Sequence, residues 1–383
     1  MTGGVVTVGL VVALGTTLAC FATVYDNAKV ADARYLVGSD IRLTPNPSST
    51  KPHPTTLTSD LRGDGVSGAS AVVYSPENAA LTSSFNEDVA SLAAIEPATF
   101  KMVAALEDSS FVGGSANDMM SSLEAHPDGV LVNSALAKGL KLKAGDEVEV
   151  LLGRGTDQQT RRKMRVLGLF TRFPGAPKGT DVVATLGYYQ AKTGLDDADY
   201  YLVSSNDRSV SGVKRAVASL SALPDFGRRF EVRTAGATFD RDQSSLTGLN
   251  VRGLLQLDSF YTFIMAVTAT AMFVFGLLLQ RRREYVTLRA QGVRNRDVRR
   301  LVLLESGISA ALGAVLGLLV GIGMASQFVL VLRPIFTLPP PLEVPAFELA
   351  VLVALVLGAT ALSSAVAAVL LGRLKPTELL RDE

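Results

Sequence analysis

Only one cysteine, Cys20, occurs in the 383 residues of this chain. A disulfide within the chain is therefore excluded, and a thiolate metal site very nearly so. Histidine is almost as scarce. His53 and His126 lie far apart in loop-like sequence beside prolines, which suits surface residues better than ligands, and no metal site is expected. Glu124 and Asp128 flank His126, but an acidic surface loop explains that neighbourhood better than a catalytic base. A Walker sequence is also missing: Gly153-Arg-Gly155 is not followed by the Gly-Lys-Ser/Thr that cradles phosphates. Without that motif or any other catalytic constellation, the chain reads as a non-enzyme. Its net charge of +1 supplies no global field to draw nucleic acid.

Charge is absent from four long windows: Met1 to Tyr25, Ser259 to Gln280, residues 306–332 and Leu349 to Gly372. A bilayer-spanning helix needs about 20 predominantly apolar residues, and each charge at its centre would cost roughly 2.5–3.5 kcal/mol on insertion scales. Four such windows imply four transmembrane helices. The expected organisation is a first span at 1–25, a soluble insert at 26–256, a second span at 257–280, a hairpin at 281–305, a third span at 306–332, a loop at 333–346, a fourth span at 347–372 and a tail at 373–383. No carboxylate, histidine or arginine sits at the centre of a window. Proton relays and ion paths use such groups, so neither an ion-coupled transporter nor a charge-lined channel is indicated. Leu18-Ala19-Cys20 is faintly similar to a lipoprotein processing site. Thr17 replaces the usual aliphatic residue and no positive segment precedes the run, so a small buried thiol on a helix face is the better reading.

The charges that are present decide the topology. Eight arginines lie between Arg281 and Arg300, opposed only by Glu284 and Asp297, and Arg373, Lys375 and Arg381 follow the last window. The loop after the third window carries Arg333 and a series of prolines instead. This asymmetry puts the hairpin and both termini in the cytoplasm and the large insert outside. The second span is expected to continue as a helix from Gln280 to a stop at Gly292. Asn295 is expected to cap a new helix at Arg296 that runs into the third span. Tyr285, Leu288 and Val293 give this helix–turn–helix apolar side chains for docking a protein partner. Anionic lipid is the competing partner for so basic a loop. Within the third window Gly313, Gly317 and Gly321 repeat every four residues, a strip on which another helix backbone can approach closely.

The insert reads as α+β. Strands are expected at Val37 to Thr44, Gly68 to Ser75, within Lys141 to Leu152, and at Lys163 to Phe170, the last two paired across a turn. A strand then a helix are expected over Asp128 to Gly139. A βαβ unit is expected over Tyr200 to Ser204, about Ser209 to Leu223, and Phe230 to Thr234. A helix over about Phe239 to Leu255 should lead into the second span.

Several of these features together resemble a known family. Arg282-Arg283-Glu284, Leu288-Arg289-Ala290, Gly292, then Val298, Leu301, Glu305 and the glycine series are similar to the C-terminal signature of FtsX-like permeases, the membrane subunits of MacB- and LolCDE-type ABC transporters. The closing Leu374-Lys-Pro-Thr-Glu-Leu-Leu-Arg381 resembles the family's P-x-E-x-L-R tail, and one span, a large outer domain and three further spans is the family's layout. The resemblance implies a MacB-type α+β outer domain, with a β-rich subdomain and a βαβ subdomain. It also implies a plasma-membrane permease subunit whose hairpin contacts a separate cytoplasmic ATPase that binds the ATP and Mg. On the motif, the contact residues are Glu284, Tyr285, Leu288, Arg289, Gly292, Val293, Arg294 and Asp297. Gln291 stands where the family has a small or aliphatic residue. A second permease subunit or half is implied as partner, together with membrane lipid and an extracytoplasmic protein. The basic helix that normally precedes the first span is missing, which resembles the second half of a longer tandem permease or a split subunit. Substrates of such systems include lipoprotein, lipid, peptide and drug. Two other readings stay open: a transmembrane signal transducer that activates an extracytoplasmic cell-wall hydrolase without transport, as related permeases with shorter outer domains do, and a membrane-anchored binding module with no ATPase.

Overall fold

A computed structural model of the chain describes residues 2–49, 51–83, 86–175, 179–244, 251–280, 284, 287, 291, 293–333 and 336–373. The chain divides into two compact units: Met1–Ala28 with Gly248–Glu383, and Lys29–Thr247.

The first unit is helical. It holds the first part of α1 (Thr2–Val37), then α9 (Val251–Gln280), α10 (Asn295–Leu332) and α11 (Ala346–Arg373). Among the described residues, three helices are long and apolar enough to cross a membrane, over Val5–Val37, Arg300–Val331 and Ala346–Val366. In α9 the apolar stretch among the described residues is Phe260–Gly276, shorter than the other three. The four spans expected from the windows are thus met at full length by three. Side-chain contacts fix the directions of the helices. The Oγ atoms of Ser306 and Ser364 lie 2.7 Å apart, and Cys20, Ala325 and Leu349 form one buried cluster. Ser306 thus pairs with a late residue of α11 and Ala325 with an early one, so α10 and α11 run antiparallel. Cys20 is the buried free thiol anticipated for it.

The second unit is a mixed sheet with helices. Among the described residues ten strands form one sheet, in the order β10-β1-β9-β2-β3-β8-β5-β7-β4, with β6 pairing β2 and β7. The strands are β1 (Ile41–Pro45), β2 (Val66–Ser83), β3 (Asn86–Ile95), β4 (Phe111–Val112), β5 (Gly129–Asn133), β6 (Glu147–Leu152), β7 (Thr160–Phe170), β8 (Val182–Thr185), β9 (Tyr200–Ser205) and β10 (Phe230–Thr234). The helices are α2 (Pro97–Val103), α3 (Ala116–Ala125), α4 (Ser134–Leu140), α5 (Leu186–Thr193), α6 (Val210–Ser221), α7 (Phe226–Arg229) and α8 (Ala235–Ser244). Local chemistry starts several of them. Ser115 caps α3 by accepting the Asp118 amide while Asp118 accepts the Ser115 amide, a reciprocal capping box. Ser209 caps α6 by accepting the Gly212 amide at 3.1 Å.

Alternation along the strands builds the core. In β9, Tyr201 and Val203 enter a cluster with Ile41, Leu43, Leu220, Phe226 and Phe230, while Tyr200 and Leu202 enter one with Phe100, Met120 and Phe170. A strand buried on both faces reads as an unbroken apolar run, and Tyr200–Val203 is one. The expected pairing of the strand ending at Leu152 with that ending at Phe170 is present, antiparallel, from Glu147↔Arg165 to Leu152↔Thr160. The expected βαβ unit is split: β1 lies between β9 and β10 and pairs antiparallel with both. A second expectation is corrected at Val37, which ends helix α1 rather than beginning a strand; the strand starts at Ile41. The region expected as a helix over about Phe239 to Leu255 contains the end of α8 and the start of α9, and 245–250 lie outside the described residues.

Phe100 is fully buried and stacks on Phe173 with ring centroids 5.2 Å apart. Truncating a buried phenylalanine costs about 3–5 kcal/mol in lost burial and residual cavity. Phe100→Ala is expected to lower the unfolding midpoint of the detergent-solubilised chain accordingly. A shift corresponding to under 1 kcal/mol would show that this cluster does not hold the unit together.

Candidate functional site

The sequence points first to the segment between α9 and α10. Its residues Tyr285, Leu288, Arg289 and Gly292 lie outside the described residues, as does Leu374 to Arg381. Of the others, Glu284 and Thr287 are helical and exposed, and the Gln291 amide donates to Thr287 O at 3.1 Å. Val293, Arg294, Arg296 and Asp297 are all exposed. Helix α10 begins one residue earlier than expected: Asn295 is its first residue, and Arg294 takes the cap position without a side-chain cap bond. The start is stabilised by charge instead, because Asp297 sits in the first turn, where a carboxylate meets the positive end of the helix dipole. From there α10 continues unbroken to Leu332.

The second place is the contact of α10 with α1. A Cβ on Gly313 would lie 3.0 Å from Val5 O, one on Gly317 2.6 Å from Gly9 O, and one on Gly321 2.6 Å from Ala13 O. Each step of four on one helix matches a step of four on the other, in the same direction, so α1 and α10 run parallel. Thr17 extends the series, its Oγ1 lying 2.7 Å from Ala13 O and 3.2 Å from Gly321 O. In lipid no hydrophobic force drives helices together, so backbone approach of this kind and its dispersion contacts carry the association. Further along, Phe21 and Phe328 are 6.4 Å apart and Tyr25 meets Phe336 edge-on at 5.8 Å. The Asn27 amide donates to Glu343. The strip on α1 (Val5, Gly9, Ala13, Thr17) was not visible as a signal in the sequence, because only one of its members is glycine.

The third place lies in the soluble unit, where the chain enters and leaves the sheet. Because Ile41 pairs with Thr234, the residues that follow α1 and those that precede α8 are neighbours. Asp40 stands between them, its side chain only 4% exposed. Its carboxylate pairs with Arg34 Nε on the last turns of α1 at 3.0 Å. It also accepts the Ser205 amide at 3.0 Å and the hydroxyls of Ser204 and Ser205, while its backbone carbonyl accepts the Ala235 amide that opens α8 at 3.1 Å. One residue thus ties α1, β9 and α8 together. Around it, Ser39 Oγ lies 2.8 Å from Val103 O and 2.9 Å from Val203 O, and Tyr35 donates to Ser110 at 2.9 Å. Gly38 makes the turn from helix to strand at φ +96°, and a Cβ there would lie 2.6 Å from Gly175 Cα. Arg42 donates to Gly175 O and lies flat over the Tyr200 ring, 3.7 Å from its centroid. Burial pushes the Arg42 guanidinium below its ordinary range, with the Tyr200, Tyr74 and Asp199 charges opposing that shift. Sequence reasoning missed this joint. Its members are ordinary polar residues, and the segments it joins, at 40 and 203–205, lie more than a hundred positions apart.

Among the described residues, no group of three or more His, Cys, Asp or Glu could hold a metal ion.

Residues 259–376 match the model of the family described as FtsX-like permease C-terminal. No curated protein matches the chain. Similar solved structures include the periplasmic region of MacB from Actinobacillus actinomycetemcomitans, at 12% identity and TM-score 0.38, covering 55% of this chain and 95% of that one. Another is the extracellular domain of the noncanonic ABC-type transporter YknZ from Gram-positive bacteria, at 14% identity and TM-score 0.36, covering 51% and 99%. Over residues 259–376 the chain is thus similar to the C-terminal region of FtsX-like permeases.

Two substitutions test the contacts described above. Asp40→Ala leaves the Ser205 amide and Arg34 without their acceptor. Breaking a buried pair costs about 3–5 kcal/mol, and the lower end is expected because Arg34 keeps some contact with water. Amide exchange at β1, β9 and β10 should accelerate together; exchange confined to the termini of α1 would contradict the joint. Gly317→Leu is expected to force α1 from α10 and to abolish cross-linking between cysteines placed at positions 5 and 313. Retained cross-linking would mean that the glycine contact does not set the helix spacing.

Proposed function

We propose that this chain is an FtsX-like permease, the transmembrane subunit of an ABC-type transporter. A separate cytoplasmic ATPase, which binds ATP and Mg, grips the 281–305 segment through Glu284, Tyr285, Leu288, Arg289, Gly292, Val293, Arg294 and Asp297. Its closure on ATP moves the base of α10. The observation that carries this reading is that α10 is one helix from the exposed Arg294–Asp297 start to the glycine strip, where its backbone lies against α1. α1 in turn is one helix as far as Val37, three residues from Asp40. A displacement at the hairpin therefore has a continuous route of packed backbone and helix to the joint. This is the physical form a coupling between distant sites requires: an element with two arrangements that both ends bias.

The orientation follows from charge. The arginine-rich segment stays on the cytoplasmic side, and the parallel course of α1 and α10 supports a start of α1 on that side too. Lys29–Thr247 is then the extracytoplasmic unit. Its work is export or extraction of a lipoprotein, lipid, peptide or drug, done by change of shape, since no charged group lines the centre of a span. A second permease subunit or half completes the assembly.

Leu288→Asp with Gly292→Pro is expected to weaken capture of the cytoplasmic ATPase by roughly 30-fold, the effect of losing about 2 kcal/mol at an interface hot spot. Asp40→Ala should leave capture intact and remove the coupling. Undiminished ATPase capture by the double variant would defeat the assignment of the hairpin. In a chain with Cys20→Ala, Arg296→Cys should react with a membrane-impermeant maleimide only after the membrane is opened, and Ser67→Cys without opening it. The reverse labelling pattern would overturn the topology.

A further inference from the structure

The two strands that meet at the Asp40 joint also meet at their other ends, and there they frame a cleft. Pro45 closes β1 opposite Phe230, which opens β10, and the Asn46 amide continues the pairing by donating to Arg229 O at 2.8 Å. The turn after β1 and the short helix α7 before β10 are therefore walls of one cavity of about 440 Å³, lined by Asn46, Ser49, Lys51, Asp225, Arg228 and Arg229 among others. That volume lies within the range of small-ligand sites, about 300–1,000 Å³.

Its charge is unbalanced. Three cations line it against one carboxylate, and that carboxylate is already engaged: Lys51 Nζ donates to Asp225 Oδ2 at 2.6 Å. The hydrogen bond and charge of Lys51, followed by the charges of Arg228 and Arg229, hold the Asp225 carboxyl below its ordinary range. Asp225 adopts a left-handed backbone conformation at φ +59°. Arg229 is fixed in place, with Nη2 donating to Pro52 O at 3.3 Å and its guanidinium 5.4 Å from the Phe230 ring centroid. Its Nε is sealed from solvent and has no acceptor among the described residues. No ion pair to Arg228 or Arg229 occurs among the described residues. Asp197 accepts the His53 amide and does not line the cleft.

Two fork-shaped donors, an ammonium paired with a carboxylate, and a serine hydroxyl in one concavity make a receptor for a small oxyanion. Guanidinium groups match phosphate geometry with paired donors. We propose that this cleft binds a phosphate-bearing ligand, either a soluble phosphate ester or the headgroup of an anionic lipid. The five-residue ribbon of β1 and β10 runs from this cleft to the Asp40 joint. The binding claim is independent of the ATPase reading and stands or falls on its own titration.

The test uses the full chain in neutral detergent, titrated by calorimetry with inorganic phosphate and with glycerol 3-phosphate. In parallel, the chain is reconstituted in nanodiscs of phosphatidylcholine alone and of phosphatidylcholine with phosphatidylglycerol, and amide exchange is followed at residues 46–51 and 225–231. Binding should weaken about tenfold in Arg228→Gln with Arg229→Gln, as expected for loss of charge-assisted donors, and should weaken with added salt. Asp225→Asn should act in the opposite sense, strengthening binding several-fold by releasing Lys51, a gain that a merely misfolded variant cannot give. Heat with the soluble phosphates and this pattern of variants identifies a soluble ligand. Protection only with phosphatidylglycerol, lost in the double variant, identifies a lipid headgroup. No response to any of the probes, or a response that the two variants leave unchanged, overturns the proposal.

Discussion

A single buried carboxylate, that of Asp40, ties the last turns of α1, strand β9 and the start of α8 together within the Lys29–Thr247 unit. A charge so little exposed is tolerated only when it is paired and its remaining lone pairs are used. Arg34, the Ser205 amide and two serine hydroxyls do this. Because the partners come from α1 and β9, and the backbone of the same residue receives α8, loosening any one loosens the others. A hydrophobic joint would have been as stable but less directional. Gly38 beside Asp40 admits the turn that no side chain would.

The helical unit is built on a different force. Its helices gain nothing by hiding apolar surface from lipid, so the contact of α1 with α10 is made by bringing backbones together. Glycines on α10 and a mixed strip on α1 allow it, and threonine seals one end. Elsewhere hydroxyls bridge helices, as Ser306 and Ser364 do. Such contacts depend on short distance and are therefore either made or broken. That suits an element with two arrangements better than a broad apolar interface would.

Much of this was legible in the sequence, for reasons that can be named. Charge-free windows give away α1, α10 and α11 because burial of charge in lipid is so costly. Residues 37–44 misled because the tail of α1, with Asp32, Arg34 and Val37, loses its apolar character while still helical, and the alternation that follows began to look like a strand too early. The β2–β3 hairpin was half seen: β3 is rich in alanine and carries little strand propensity. The βαβ order was readable, yet the insertion of β1 between β9 and β10 was not, because β1 precedes β9 by some 150 residues and nothing local records the pairing. The glycine period announced a helix contact without naming its partner. The joint at Asp40 and the cleft at Arg228 and Arg229 were silent, since both are made by residues distant in sequence and unremarkable in type.

The most direct test of the account is amide exchange in the chain assembled with its ATPase, compared with and without ATP. Protection at residues 36–42 and 233–238 should change together on nucleotide binding if the proposed coupling runs from the hairpin to the Asp40 joint. A response confined to residues 281–305, with the joint unchanged, would contradict it.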